Sequence, residues 1–284
     1  MSQVKPHFSC SIACGRAATA PGMRIDDRLN CSAQIQYLRS VCDEQECCEG
    51  VPGSIRGMEP IPASLSVWLE HPFTPQREFA YSIRQWREWV GHLAGVSEAL
   101  DELPAAIDRR GAAVLINALL PTNVAGAFTV AMIWGHGLSN YGAYRTACVL
   151  TAQKKPKGAP MSDAVAGRLS ESVDIARVQG PVEGYRYLNN RPGKVAGLGP
   201  AFFTKWLFFI TAWGDATSLH AAPVLDELVI NWLRRQAHIS LRPGRTDDYA
   251  RYIGVLEEWG KPHGLTPAQV EERIFRAIRD DGAQ

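Results

Sequence analysis

A glycine-rich turn that leads directly into an apolar segment most constrains the fold of this 284-residue chain. Gly197-Leu198-Gly199-Pro200 precedes a run from Ala201 to Ile210 in which Lys205 is the one charged residue. Glycine allows a sharp turn, and proline suits the first helical position because no N–H has to be satisfied there. A turn that ends at a helix N-terminus presents free backbone N–H groups, which is a typical phosphate site. The alternative is an ordinary connection between two core helices.

Helical periodicity extends over nearly the whole chain from Met58 onwards. Apolar residues recur with helical spacing, without persistent strand alternation or an internal repeat, at 76–93, 96–108, 110–120, 125–134, 162–179, 181–188, 247–259 and 266–279. The hydrophobic content of 46% provides ample material for a core. The pattern predicts an all-α fold, which we expect to divide into two helical lobes with a groove between them.

The first 57 residues differ from the rest in their use of cysteine. Six of the seven cysteines lie there: Cys10, Cys14, Cys31, Cys42, Cys47 and Cys48. Their spacing contains no paired Cys-x-x-Cys zinc pattern, and the four clustered cysteines of an iron–sulfur site are absent near the C-terminus. We expect residues 1–57 to be disordered or a non-native extension and residues 58–284 to be the folded domain. We expect neither a metal nor a cofactor.

The charge balance is almost neutral, with 30 basic and 29 acidic residues and a net charge of +1. A nucleic-acid-binding domain is usually more basic, although a local patch and backbone amides can still bind phosphates. The sequence contains no apolar run of the ~18 residues that a membrane span needs, and no apolar signal core. We therefore expect a monomeric cytoplasmic protein that does not contact a membrane.

Two further stretches carry candidate functional groups. Asp226 follows an apolar approach at the point where another helix is expected to begin, so it is either an N-cap or a carboxylate available for chemistry. The segment 134–146 mixes aromatic, glycine and polar residues, as a loop lining a planar ligand would. A turn with buried aromatic side chains is the alternative interpretation of that segment.

The order of hairpin, apolar helix, connector, Leu-Asp and second apolar helix resembles the helix-hairpin-helix DNA glycosylase superfamily. The run Gly-Pro-Ala-Phe-Phe-Thr-Lys at 199–205 is similar to that of bacterial 8-oxoguanine DNA glycosylase-like proteins. The clear resemblance covers 194–233, and a weaker one extends from Trp134 to the C-terminus. It implies a base excision repair enzyme that acts on double-stranded DNA by base flipping, with an oxidised purine such as 8-oxoguanine as the favoured substrate.

The resemblance also implies roles for particular residues. Asp226 would stabilise the sugar cation, and Lys205 could attack C1′ to form a Schiff base, which would add AP-lyase activity. In familiar 8-oxoguanine glycosylases the lysine stands two residues after the second hairpin glycine, where this chain has Ala201. Lys205 follows one helical turn later on about the same face. If Lys205 is not the nucleophile, Asp226 with a water molecule would make a monofunctional hydrolase.

The remaining candidates concern DNA contacts. A phosphate clamp, implied by the hairpin, would consist of Arg191, Lys194 and the amides of Gly197 and Gly199. The candidates for the base pocket or the wedge that fills the emptied stack are Trp134, His136, Tyr141, Tyr144 and Trp213. Three alternatives stay open: excision of a hypermodified phage base in antiviral defence, DNA binding without catalysis, and a helical protein unrelated to DNA.

Overall fold

α-Helices form almost all of the regular structure in residues 59–72, 74–139 and 141–281, the ranges that the computed structural model describes. Within these ranges the helices are α1 (Ala63–Glu70), α2 (Ile83–Val90), α3 (Val96–Asp101), α4 (Arg109–Leu119), α5 (Val124–His136), α6 (Gly142–Thr151), α7 (Asp163–Gln179), α8 (Pro181–Asn189), α9 (Pro200–Ala212), α10 (Glu227–Gln236), α11 (Thr246–Gly260) and α12 (Pro267–Asp281). The all-α prediction is confirmed. The predictions for residues 1–57, including the six cysteines, lie outside the described residues.

Side-chain caps fix where several helices begin. Ser82, Asp108, Asn123 and Asp226 each accept a hydrogen bond from the amide three residues further on. Such a cap satisfies an amide that the helix itself leaves free, and it stabilises by roughly 1 kcal/mol. At α12, Thr266 and Gln269 exchange hydrogen bonds of 2.8 and 3.2 Å in a capping box. The helix start predicted at Thr266-Pro267 is therefore confirmed.

Helix α9 lies at the centre of the core. Its side chains from Trp206 to Ala212 are buried, and it packs against α4, α5, α7 and α8. The indole N–H of Trp206 donates to Ser172 Oγ of α7 at 2.9 Å, and the same ring meets Phe128 of α5 edge-on. A helix that is apolar around its whole circumference is expected to be buried in this way. The one cation of α9, Lys205, consequently has few directions in which to extend.

Two short strands interrupt the helical pattern near the start of the described chain. Strands β1 (Phe79–Ala80) and β2 (Ala106–Ile107) pair antiparallel, with Phe79 opposite Ile107. The predicted helices at 76–93 and 96–108 are therefore too long, since their ends form this ladder instead. No helix in the described part of the chain is both long and apolar enough to cross a membrane.

Candidate active site

The hairpin before α9 buries its apolar residues and exposes its glycines. Val195 and Leu198 are buried, whereas Gly197 and Gly199 are exposed. The amide of Leu198 donates to Val195 O at 3.2 Å, and Gly197 has a φ of 81°, a conformation that favours glycine. A Cβ at Gly199 would meet no atom within 4 Å, so packing does not require glycine there.

Free amides follow from this turn. The carbonyl of Gly199 accepts from the amides of Phe202 and Phe203, both at 2.9 Å. The amides of Gly197, Gly199 and Ala201 have no hydrogen-bond partner among the described residues. The side chains of Arg191 and Lys194 are exposed in the same segment. Unpaired amides at a helix N-terminus next to cationic side chains are an arrangement suited to binding an anion.

Lys205 and Asp226 meet although 20 residues separate them in the sequence. Lys205 Nζ lies 3.5 Å from Asp226 Oδ2, and the two side chains are 14% and 15% exposed. The other oxygen, Oδ1, accepts from the amide of Val229 at 3.2 Å and caps α10. The N-cap interpretation of Asp226 is therefore confirmed, and its second oxygen faces the lysine.

The end of α5 holds Lys205 in place. Lys205 Nζ donates to the carbonyl of Gly135 at 3.0 Å and lies 5.1 Å from the centroid of the Phe202 ring. Carbonyl groups at a helix C-terminus attract cations. A Cβ on Gly135 would come within 3.0 Å of Lys205 Cδ, so the lysine stem passes close to the backbone here.

His136 packs beside the lysine as a largely uncharged ring. Its imidazole stacks on Phe202 with a centroid distance of 4.2 Å. Burial, together with the charges of Lys205 and Arg145, lowers the pKa of His136 from 6.5 to about 4. At neutral pH this residue is therefore an uncharged aromatic ring and does not add a third positive charge to those of Lys205 and Arg145.

A cavity of about 1050 Å³ brings these groups together. Lys205 and Asp226 line it, and so do two of the predicted pocket residues, Trp134 and His136. The other walls come from the segment 74–79, from the loop residues Gly137 and Leu138, and from one face of α12 that includes Phe275. The proposed acid and amine therefore share this cavity with aromatic side chains.

A buried ion pair also lines the cavity. Arg109 Nη2 lies 2.5 Å from Glu271 Oε2, and the side chains are only 6% and 5% exposed. The Arg109 guanidinium lies over the Phe208 ring at 3.9 Å. Burial raises the pKa of Glu271 to about 7, against the opposing effect of Arg109. Sequence reasoning missed this pair because its partners are 162 residues apart and each fits an ordinary helix start.

Three predicted pocket residues are not brought to this cavity. Tyr144 points elsewhere, since its ring packs on Trp89 and its hydroxyl donates to Lys154 O at 3.0 Å. Trp213 lies at the far end of α9, under Arg177, and lines a separate cavity of about 180 Å³. Neither side chain lines the cavity that contains Lys205 and Asp226. Tyr141 is 58% exposed and does not line it either, so the pocket or wedge role of all three residues stays a prediction.

The described ranges contain no group of three or more His, Cys, Asp or Glu side chains placed to hold a metal ion. Within those ranges His136 has Phe202, Lys205 and Arg145 as its neighbours, none of which is a partner for metal ligation. What the cavity offers instead is the amine of Lys205, carboxyl groups that include those of Asp226 and Glu271, guanidinium groups and several aromatic rings.

An all-α fold with a lysine–carboxylate pair that lines a cavity is consistent with an all-α glycosylase. The chain belongs to the family described as "Putative 8-oxoguanine DNA glycosylase OGG-like protein", whose profile matches residues 73–275. No curated protein and no solved structure gives a significant match. The matched range contains the hairpin, Lys205, Asp226 and both partners of the buried ion pair. Family membership supports DNA glycosylase activity and DNA as the binding partner.

Proposed function

We propose that this protein is a bifunctional DNA N-glycosylase that excises an oxidised purine, with 8-oxoguanine favoured, from double-stranded DNA. The observation that carries the proposal is the Lys205–Asp226 pair, whose charged atoms lie 3.5 Å apart on the wall of a cavity of about 1050 Å³. An amine and a carboxylate side by side supply both functions that base excision with strand cleavage requires.

The chemistry assigns one step to each group. Asp226 accepts a proton from Lys205, and the neutral amine attacks C1′ while the bond from C1′ to the base nitrogen breaks. The base leaves with that electron pair and takes up a proton. Opening of the sugar then gives a C1′=N Schiff base, and loss of a C2′ proton expels the 3′ phosphate. Asp226 passes the proton that it received to the departing base, and the restored carboxylate stabilises the positive charge on C1′ and on the attached nitrogen.

The hairpin and the loop after α5 account for DNA contact in this proposal. Phosphates would bind the amides of Gly197 and Gly199 with Arg191 and Lys194. The target base leaves the stack, and an apolar side chain fills the gap. Leu138 is 78% exposed and lines the cavity, so it suits the wedge better than the buried aromatic residues do.

Borohydride trapping tests the assignment. A duplex carrying one 8-oxoguanine is incubated with wild-type protein, with Lys205→Gln and with Lys155→Gln, a control at an exposed lysine. We expect a covalent adduct and strand cleavage with the wild type and the control, and neither product with Lys205→Gln. Trapping that persists in Lys205→Gln contradicts the nucleophile. If the wild type excises the base without forming a trapped adduct, and Asp226→Asn no longer excises it, the protein is a monofunctional hydrolase instead.

The cavity volume favours a second candidate function, excision of a hypermodified base, as in defence against phage. Sites for drug-sized ligands occupy about 300–1,000 Å³, so about 1050 Å³ could hold a base with a large substituent. A panel of duplexes with unmodified, oxidised and bulky modified bases separates the two. Faster release of the bulky base decides for this candidate, whereas salt-dependent binding without an abasic product from any duplex indicates a non-catalytic DNA-binding protein.

A further inference from the structure

The ion pair Arg109–Glu271 has free hydrogen-bonding capacity with which it could bind a ligand, in addition to linking two helices. Arg109 Nη2 donates a hydrogen bond of 2.5 Å to Glu271 Oε2. The other carboxyl oxygen, Glu271 Oε1, has no hydrogen-bond partner among the described residues. Arg109 Nε is buried and also lacks a partner there. A buried donor without a partner typically costs about 1–3 kcal/mol, so an acceptor on a bound ligand would remove that cost.

The position of the pair connects it to the proposed chemistry. Both residues line the cavity that contains Lys205 and Asp226. The charge of Asp226 contributes to the raised pKa of Glu271, which places the two carboxyl groups within electrostatic reach of each other. Aromatic side chains of Trp134 and Phe275 line the same space. A base whose sugar lies at Asp226 would therefore extend its ring into the space beside Arg109 and Glu271.

We propose that Arg109 and Glu271 read the edge of the extruded base, with the carboxylate of Glu271 accepting a base N–H and the Arg109 guanidinium donating to an adjacent base carbonyl. This inference rests on the proposed glycosylase function and specifies its substrate class. The pair selects an edge on which a ring N–H stands next to a carbonyl oxygen.

This rule separates 8-oxoguanine from guanine at the major-groove edge. Guanine presents two acceptors there, N7 and O6. N7 would then lie opposite the Glu271 carboxylate, which is also an acceptor, and no hydrogen bond could form between them. Oxidation at C8 converts N7 into an N–H donor flanked by carbonyl oxygens, which matches the pair. The pair thus distinguishes the two bases by the direction of one hydrogen bond and not by their size.

Glu271→Gln is the informative variant, because an amide can either accept or donate and therefore loses the discrimination. We measure excision from duplexes carrying 8-oxoguanine, guanine or 8-bromoguanine, which has bulk at C8 but keeps an acceptor at N7. In the wild type, 8-oxoguanine should be preferred over 8-bromoguanine. In Glu271→Gln that preference should fall roughly 10-fold to 100-fold, the range expected for one specific base contact.

Glu258→Gln is the matched control, since Glu258 is an exposed carboxyl on α11 that does not line this cavity. It should keep the wild-type preference. If Glu271→Gln keeps that preference as well, the pair is structural and the inference fails while the glycosylase proposal stands. If the wild type excises 8-oxoguanine and 8-bromoguanine equally well, the inference is wrong. This measurement needs no variant, so it tests the inference even if Glu271→Gln does not fold. A wild type that excises no oxidised purine overturns both the inference and the proposed substrate.

Discussion

At the scale of single residues, Asp226 performs two functions with two oxygens. Oδ1 caps α10 through the Val229 amide at 3.2 Å, while Oδ2 lies 3.5 Å from Lys205 Nζ. The cap fixes the direction of the carboxyl group, because the oxygen bound to the helix restricts the rotation of the other. The helix start therefore positions the acid that we propose for catalysis.

Substitutions at Asp226 can separate these two functions. Asparagine caps a helix about as well as aspartate, whereas alanine does not cap and costs about 1 kcal/mol. We expect Asp226→Asn to unfold in urea close to the wild type and Asp226→Ala to be destabilised by about 1 kcal/mol. Excision should fall about 100-fold or more in both, because both lack the negative charge. An Asp226→Asn protein of wild-type activity would contradict the role of the carboxylate.

His136 should make the free energy of unfolding sensitive to acid. Its pKa falls from 6.5 to about 4 on folding, so between those values the unfolded chain binds a proton that the folded protein does not. Stability is then lost as the pH falls from 6.5 to about 4, by up to about 3 kcal/mol. The variant His136→Gln lacks this group, so its stability relative to the wild type should improve on acidification.

The comparison must be made between variant and wild type at each pH. Burial raises the pKa of Glu271 from 4.5 to about 7, so this group acts in the opposite direction and destabilises as the pH rises through that range. Both proteins contain Glu271, and its contribution cancels in the difference. A difference between His136→Gln and the wild type that stays constant from pH 7 to pH 4 would contradict the buried neutral imidazole.

At the scale of elements, the two hairpin glycines should respond differently to alanine. Gly197 has a φ of 81°, so alanine there is strained by about 1–2 kcal/mol. Gly199 has a φ of −89° and open space around it, so Gly199→Ala should fold with wild-type stability. Its methyl group would stand where a phosphate has to approach. We therefore expect Gly199→Ala to bind DNA more weakly at unchanged stability, and unchanged affinity would contradict the phosphate clamp.

The loop after α5 provides a test of base flipping. Leu138→Ala removes the exposed side chain that we assign to the wedge, so extrusion from a duplex loses the group that fills the gap. Excision from duplex DNA should fall about 10-fold, with a much smaller effect on a single-stranded substrate, whose base is already unstacked. Leu219→Ala is the control, because Leu219 is 81% exposed and lines the other cavity. Equal losses on both substrates would contradict the wedge.

The elements show which parts of the fold local sequence can predict. Helices such as α7 and α11 were predicted to within a residue or two, because their apolar spacing and end signals agree. The predicted helix at 76–93 is too long because Phe79–Ala80 pairs with Ala106–Ile107, a contact that no local period encodes. Pro104 contributes, since the residue before a proline avoids helical backbone and the helix beginning at Val96 ends before it.

At the scale of the whole molecule, the cavity is assembled from distant segments, and this limits what the sequence can predict. Lys205 and Asp226 were predictable because they flank one hairpin and one helix start. Arg109 and Glu271 were not, since their pairing depends on how α4 and α12 pack. Trp213 and Tyr144 show the converse, because an aromatic residue near a motif in sequence can still face another surface.

The same ion pair should govern the stability of the molecule, since it links α4 to α12 with both side chains at most 6% exposed. Removing one partner leaves a buried charge, so Glu271→Met should cost about 3–5 kcal/mol in urea unfolding. Arg109→Met should cost less than Glu271→Met, because Arg109 lowers the pKa of Glu271, so that without Arg109 the buried carboxyl takes up a proton and leaves no charge behind.

The double variant Arg109→Met/Glu271→Met leaves no charge behind, and it should be more stable than either single variant. If the two single losses simply add in the double variant, the residues are not coupled through the pair. The double variant should at the same time lose the preference for 8-oxoguanine over 8-bromoguanine, since it has neither a donor nor an acceptor for the base edge. Recovered stability together with lost discrimination would show that the pair is kept for recognition and not for folding.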